Sequence, residues 1–126
     1  MKAYDPSKNP EAGDWLRTDE RVRIDLVASY HRRAHVRLPN ILLHATIHVI
    51  VENQLALAEP IVVETLARLQ GEGLSRHEAV HATGSVLGEH IYELLKKRHA
   101  PGQIDPNVAY FDRLKKLTAA GWRHAG

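Results

Sequence analysis

Helical periodicity along most of its length predicts an all-α fold for this chain, a single bundle-like domain of about five helices with an extended N-terminal arm. Three observations carry that reading. Apolar residues recur three and four positions apart, capping residues and prolines punctuate the chain at helix-length intervals, and no stretch alternates apolar with polar as a half-buried strand does. At 126 residues the chain makes one domain, 1–126, large enough to bury a core without cross-links.

Residues 1–13 hold Pro6, Pro10 and many polar side chains and read as the arm, with Trp15 and Leu16 placed to pin it to the core. Thr18 suits an N-cap, with Asp19 and Glu20 in the first turn where carboxylates favour the helix dipole. Ile24, Val27, His31 and Ala34 carry that first predicted helix to about His35. Asn40 caps the second, from Ile41 to about Ala58. Leu42, Leu43, Ile47, Val49, Ile50, Val51 and Leu55 make it apolar nearly all round, the mark of a central helix. Pro60 starts the third, striped by Ile61, Val62, Leu66 and Leu69 and ended by Gly71 and Gly73. Ser75 opens the fourth, to about Arg98, with Val80, Leu87, Ile91, Leu94 and Leu95 as core face. Its mid-helix Gly84 and Gly88 suit a place where another helix comes close. Asp105 caps the fifth with Pro106 at its first position; Val108, Phe111, Leu114 and Leu117 face inward, and 119–126 reads as a frayed tail.

There is no cysteine, hence no disulfide and no thiolate metal ligand. The N-terminal residues lack the apolar run of a secretory signal, and the longest apolar stretch is interrupted by His44, His48 and Glu52, so a cytoplasmic protein without a membrane span is expected. A net charge of +2 and few aromatics argue against a nucleic-acid surface. The composition leaves room for a protein partner or a homo-oligomer.

The chemistry lies in the nine histidines, six of which form pairs four apart: His31/His35, His44/His48 and His77/His81. On a helix such residues sit one turn apart on one face, about 5–6 Å between Cβ atoms, so two imidazoles can grip one ion. His44, His48 and Glu52 line one side of a very apolar helix, where unpaired polar groups would each cost about 1–3 kcal/mol. His77-Glu78-Ala79-Val80-His81 spells H-E-x-x-H, the zincin pattern in which the glutamate serves as general base. Ser75-Arg76-His77-Glu78 also spells a capping box, which gives Glu78 a purely structural task. Leu87 stands where the longer metzincin pattern needs a third ligand. Glu89 lies two turns after His81 and can add a carboxylate, and His31 can add a lone imidazole. His35 reads as a surface residue at a helix end, and His90, His99 and His124 as solvent-facing or terminal.

His48-x3-Glu52 with His77-x3-His81 resembles ligand pairs of hemerythrin-like bundles. An extra helix separates the pairs, however, and the His-x4-Asp of that family is missing. Glu78-x2-His81 is similar to half of a ferritin-like site without its matching half. The segments Leu43 to Gln54 and Arg76 to Glu89, together with Tyr30-His31-Arg32-Arg33 and Asp105 to Leu114, resemble a bacterial family of small proteins, the domain of unknown function family 1841. The resemblance covers most of residues 14–118 and implies a helical protein with its paired histidines acting as one set; it supplies no activity. The expectation is therefore a domain that binds zinc, iron, nickel or manganese, as one or two ions, through His44, His48, Glu52, His77, His81, Glu89 and His31. Two alternatives are an interaction module whose histidines satisfy one another in a polar core, and a minimal zincin protease.

Overall fold

A computed structural model describes residues 1–34, 40–96 and 107–125. Every regular element among them is a helix: α1 (Ala12–Arg17), α2 (Glu20–Arg33), α3 (Ile41–Ala56), α4 (Pro60–Gly71), α5 (Arg76–Lys96), α6 (Asn107–Lys116) and α7 (Ala119–Ala125). The all-α expectation holds, with two short helices more than the sequence pattern resolves.

α3 and α5 form the central pair. α1 and α2 pack on α3, α4 touches α3 and α5, and α6 and α7 lean on α5. α3 separates two apolar clusters. Ala45 and Val49 join Tyr4, Trp15, Val27 and Ala28 on one side, while Val51 joins Val62, Leu66, Leu69, Val80 and Leu114 on the other. Serving two clusters explains why α3 is apolar nearly all round. Its first turn is the departure, with Leu42 and Leu43 more than half exposed. Among the described residues no single helix is long and apolar enough to cross a membrane, and α3 and α4, which together would be, meet at 105°.

Helix ends follow local chemistry. The Asn40 side chain accepts from the Leu43 N–H as predicted. α2 is capped by Asp19, which accepts from the Arg21 N–H, while Thr18 instead donates its hydroxyl to the Asp14 carbonyl. α3 stops two residues short of the predicted Ala58, because Pro60 holds Glu59 extended and the chain turns at Ala58 with φ +56°. The Ser75 hydroxyl accepts from the Glu78 N–H and the Glu78 carboxylate from the Ser75 N–H, so the capping box is formed.

Several expectations need correction. The tail is not frayed: 119–125 forms α7, with Ala119 buried and Trp122 packed on the second cluster. The arm is anchored well before Trp15, since Tyr4 and Pro6 are both buried. His90 is buried and stacks on Tyr110, while Val108 and Leu95, predicted inward, are exposed. His35 and His99, the cap formed by Asp105 and Pro106, and the predicted helix end at Arg98 lie outside the described residues.

Candidate metal centre

Three helices bring the histidines together. α2 contributes His31, α3 contributes His44 and His48 one turn apart, and α5 contributes His77 and His81 at its start. α3 and α5 can approach because Gly84 and Gly88 face Ile47. A Cβ on Gly84 would lie 3.3 Å from Ile47 Cγ2, and one on Gly88 3.4 Å from Ile47 Cδ1.

One ligand atom each from His31, His44, His48 and His81 lies within 4.8 Å of all the others. Three of these rings point their Nε2 atoms at one another: His31 to His44 is 3.2 Å, His44 to His81 3.2 Å, and His31 to His81 3.4 Å. A tetrahedral ion with metal–nitrogen bonds of about 2.0–2.1 Å separates its donors by about 3.3–3.4 Å, so the triangle has the size of one face of such a site.

Hydrogen bonds fix the tautomers of two rings. His31 Nδ1 lies 2.8 Å from the Val27 carbonyl, which can only accept, so Nδ1 carries the proton and Nε2 presents its lone pair to the cluster. His48 is set the opposite way. Its Nε2 is 2.7 Å from the Tyr4 hydroxyl, and that hydroxyl donates to Glu52. His48 Nε2–H therefore donates to Tyr4 Oη and leaves Nδ1 as the lone pair. His48 Nδ1 is also a buried atom without a hydrogen-bond partner among the described residues.

The electrostatics favour the neutral form of His44, His48, His77 and His81. Burial, followed by the neighbouring histidines, lowers the pKa of His44 to about 4 and of His81 to about 3. The same causes hold His48 well below its usual value, and burial lowers His77. Neutral imidazole is the form that coordinates metal.

The other predicted ligands stand elsewhere. His77 lies at the edge, its Nε2 2.9 Å from His81 Nε2, outside the four-donor group. Glu52 does not join the donors either. Arg76 Nη2 donates to its Oε1 at 2.7 Å and Arg76 Nη1 to its Oε2 at 2.8 Å, with both side chains buried. Arg76 also donates to the Pro6 carbonyl and to Asn9, which ties the arm down. Burial works against the Arg76 cation, but its bonds to Glu52 outweigh that and raise its pKa. Burial and the adjacent Glu52 charge raise that of Tyr4, which stays a donor.

Glu89 is exposed on the rim of a cavity of about 330 Å³ that reaches His44, His48 and His81. Glu78 is held by its capping box, where the Ser75 hydrogen bonds lower its pKa, so it has no part in the cluster and the zincin arrangement is not formed. A second cavity, of about 370 Å³, borders Glu52 and Arg76, whose polar atoms are already paired with each other.

Sequence reasoning missed Tyr4 and Arg76. Tyr4 is 44 residues from His48 and Arg76 is 24 from Glu52. The one available signal was Glu52 itself, a carboxylate in an apolar helix that must find a partner. No protein-family model, curated protein or solved structure matches this chain.

Proposed function

We propose that this protein binds one divalent metal ion, zinc before iron, nickel or manganese, through His31 Nε2, His44 Nε2, His81 Nε2 and His48 Nδ1. The observation that carries the reading is the Nε2 triangle of 3.2, 3.2 and 3.4 Å, with the His31 lone pair held toward its centre by the Val27 carbonyl. Nitrogen donors at tetrahedral spacing suit zinc. The absence of both carboxylates from the donor group favours one ion over two. The ion joins α2, α3 and α5 at a point where their contact is otherwise imidazole on imidazole. The resemblance to the domain of unknown function family 1841 fits this reading, because the histidine pairs that carry it contribute to or border the cluster.

Elemental analysis of untagged protein is the test. One equivalent of metal per chain is expected in the wild type, retained through dialysis, with loss in His44→Ala/His81→Ala. Equal, negligible metal in both would leave the histidines as a polar core and favour an interaction module.

A further inference from the structure

Five imidazoles meet at the cluster, and the proposed ion uses four of them, which leaves His77 without a task. His77 is half-buried, whereas His31 and His48 are wholly buried, so an ion from solvent cannot reach those two first. His77 Nε2 lies 2.9 Å from His81 Nε2, while the inner contacts are 3.2–3.4 Å. With metal–nitrogen bonds of about 2.0–2.1 Å, adjacent donors at the right angle of a six-coordinate ion stand about 2.8–3.0 Å apart, and tetrahedral donors about 3.3–3.4 Å. The outer pair therefore has the span of an ion that keeps most of its water, and the inner triangle that of an ion which has lost it. Without an ion the outer spacing is a hydrogen bond between the two rings, which holds His77 in place.

We propose that His77 and His81 form an entry site for the divalent ion, which this pair grips while it is still partly hydrated and then passes inward as His77 lets go. This rests on the ion being held as proposed above. Residues four apart on a helix suit the first grip. Each step exchanges donor for donor. Two imidazoles replace two waters at the outer pair, and His31, His44 and His48 then replace His77 and the remaining waters, while His81 stays bound throughout. The ion is thus never stripped in a buried place without new donors, which would be costly. The other opening is the cavity of about 330 Å³ that reaches His44 and His81. Between its exposed end, at Ser85 and Glu89, and the rings, it is walled by Ile47, Val80, Gly84, Gly88 and Trp122, which offer no side-chain donor.

The probe is cobalt(II), whose visible absorption is weak when six-coordinate and intense when tetrahedral. It is mixed rapidly with metal-free protein, and its release is then followed as the rate that no longer depends on chelator concentration. His77→Gln removes the imidazole, and His77→Phe keeps a ring against Tyr30 and His48 without a donor. A donor used only in passage alters both rates and not the equilibrium. Association and release should each fall at least about tenfold in both variants, with cobalt content, final spectrum and dissociation constant unchanged. Glu89→Gln, at the mouth of the cavity, should leave both rates as they are. Wild-type rates in both His77 variants overturn the entry site alone, as does slow exchange in Glu89→Gln. Weaker binding or a changed final spectrum in both His77 variants makes His77 a resident ligand, which overturns the entry role and the four-histidine donor set. A wild type that takes up no cobalt overturns the metal reading and this one with it.

Discussion

Two polar groups sit about two turns apart on α3 and solve the same problem in opposite ways. Around Glu52, the charged groups all have partners: two guanidinium nitrogens on the two carboxylate oxygens, the Tyr4 hydroxyl as a third donor, and two further guanidinium N–H groups on Pro6 and Asn9. Around His44, the Nε2 atoms of His31, His44 and His81 converge at 3.2–3.4 Å, and His48 Nδ1 has no partner among the described residues. The first group is complete as it stands and serves to fasten the N-terminal arm. The second leaves His48 Nδ1 without a partner and is the group proposed above to hold an ion. Tyr4 links them, because the carboxylate that accepts its hydrogen bond thereby sets which nitrogen of His48 carries the lone pair.

The largest expected effect comes from breaking the completed group. Arg76→Ala leaves Glu52 buried and unpaired and should destabilise by about 3–5 kcal/mol in denaturant titration. A double change to Arg76→Met/Glu52→Leu should recover most of that, since the pair itself adds little once both charges are gone. If Arg76→Ala alone were nearly neutral, the network would not be what anchors the arm.

Next is the incomplete group. Zinc at 100 times its dissociation constant should stabilise by about 2.7 kcal/mol, and a strong chelator should remove that gain. The folded-state pKa values of His44, about 4, and His81, about 3, lie below the unfolded value of 6.5. Protons therefore bind the unfolded chain more readily. This part of the stability is present above pH 6.5 and is lost as pH falls through 6.5 toward 4 and then 3. Metal adds an effect of the same sign, because protons compete for its ligands. Thermal melts at pH 8 and pH 5, with and without chelator, should show a wide gap at pH 8 that narrows at pH 5. A gap of zero at both would mean no ion belongs in the cluster.

A smaller effect tests the contact that brings α3 to α5. Gly88→Ala adds a methyl at an ordinary 3.4 Å from Ile47 and should stabilise by about 0.4–1 kcal/mol through the unfolded chain. Gly84→Ala meets Ile47 Cγ2 at 3.3 Å with Val51 behind it, so it should lose that gain and be the less stable variant by about 1 kcal/mol. Equal stabilisation by both would remove the close-approach argument for Gly84.

Smallest of all is Glu78→Gln. Glutamine keeps the capping box, so stability should change by less than about 0.5 kcal/mol and metal content not at all. Loss of metal in this variant would return Glu78 to the site.

Much of the fold was legible because its signals are local. The cap at Asn40, the Pro60 start, the Gly73 stop at positive φ and the Ser75–Glu78 box each depend on neighbours within a few residues. α7 was not legible, since its seven residues are helical by virtue of Ala119 and Trp122 packing on the core. His44, His48 and His81 could be named from i,i+4 spacing on apolar helix faces, and His31 only as an added donor.

By itself the sequence determined the five longer helices, most of their apolar faces, and that paired imidazoles would meet where α3 and α5 did. Periodicity and capping are properties of adjacent residues, so they are written in the chain's local order. Only the tertiary structure decided that Glu52 belongs to Arg76 and not to an ion, that Glu89 stands at a cavity mouth, and that the arm supplies Tyr4. Those outcomes depend on which distant group the packing brings within hydrogen-bonding distance in a buried place. A carboxylate in an apolar helix says that it needs a partner, while the packing of the other helices says which one it gets.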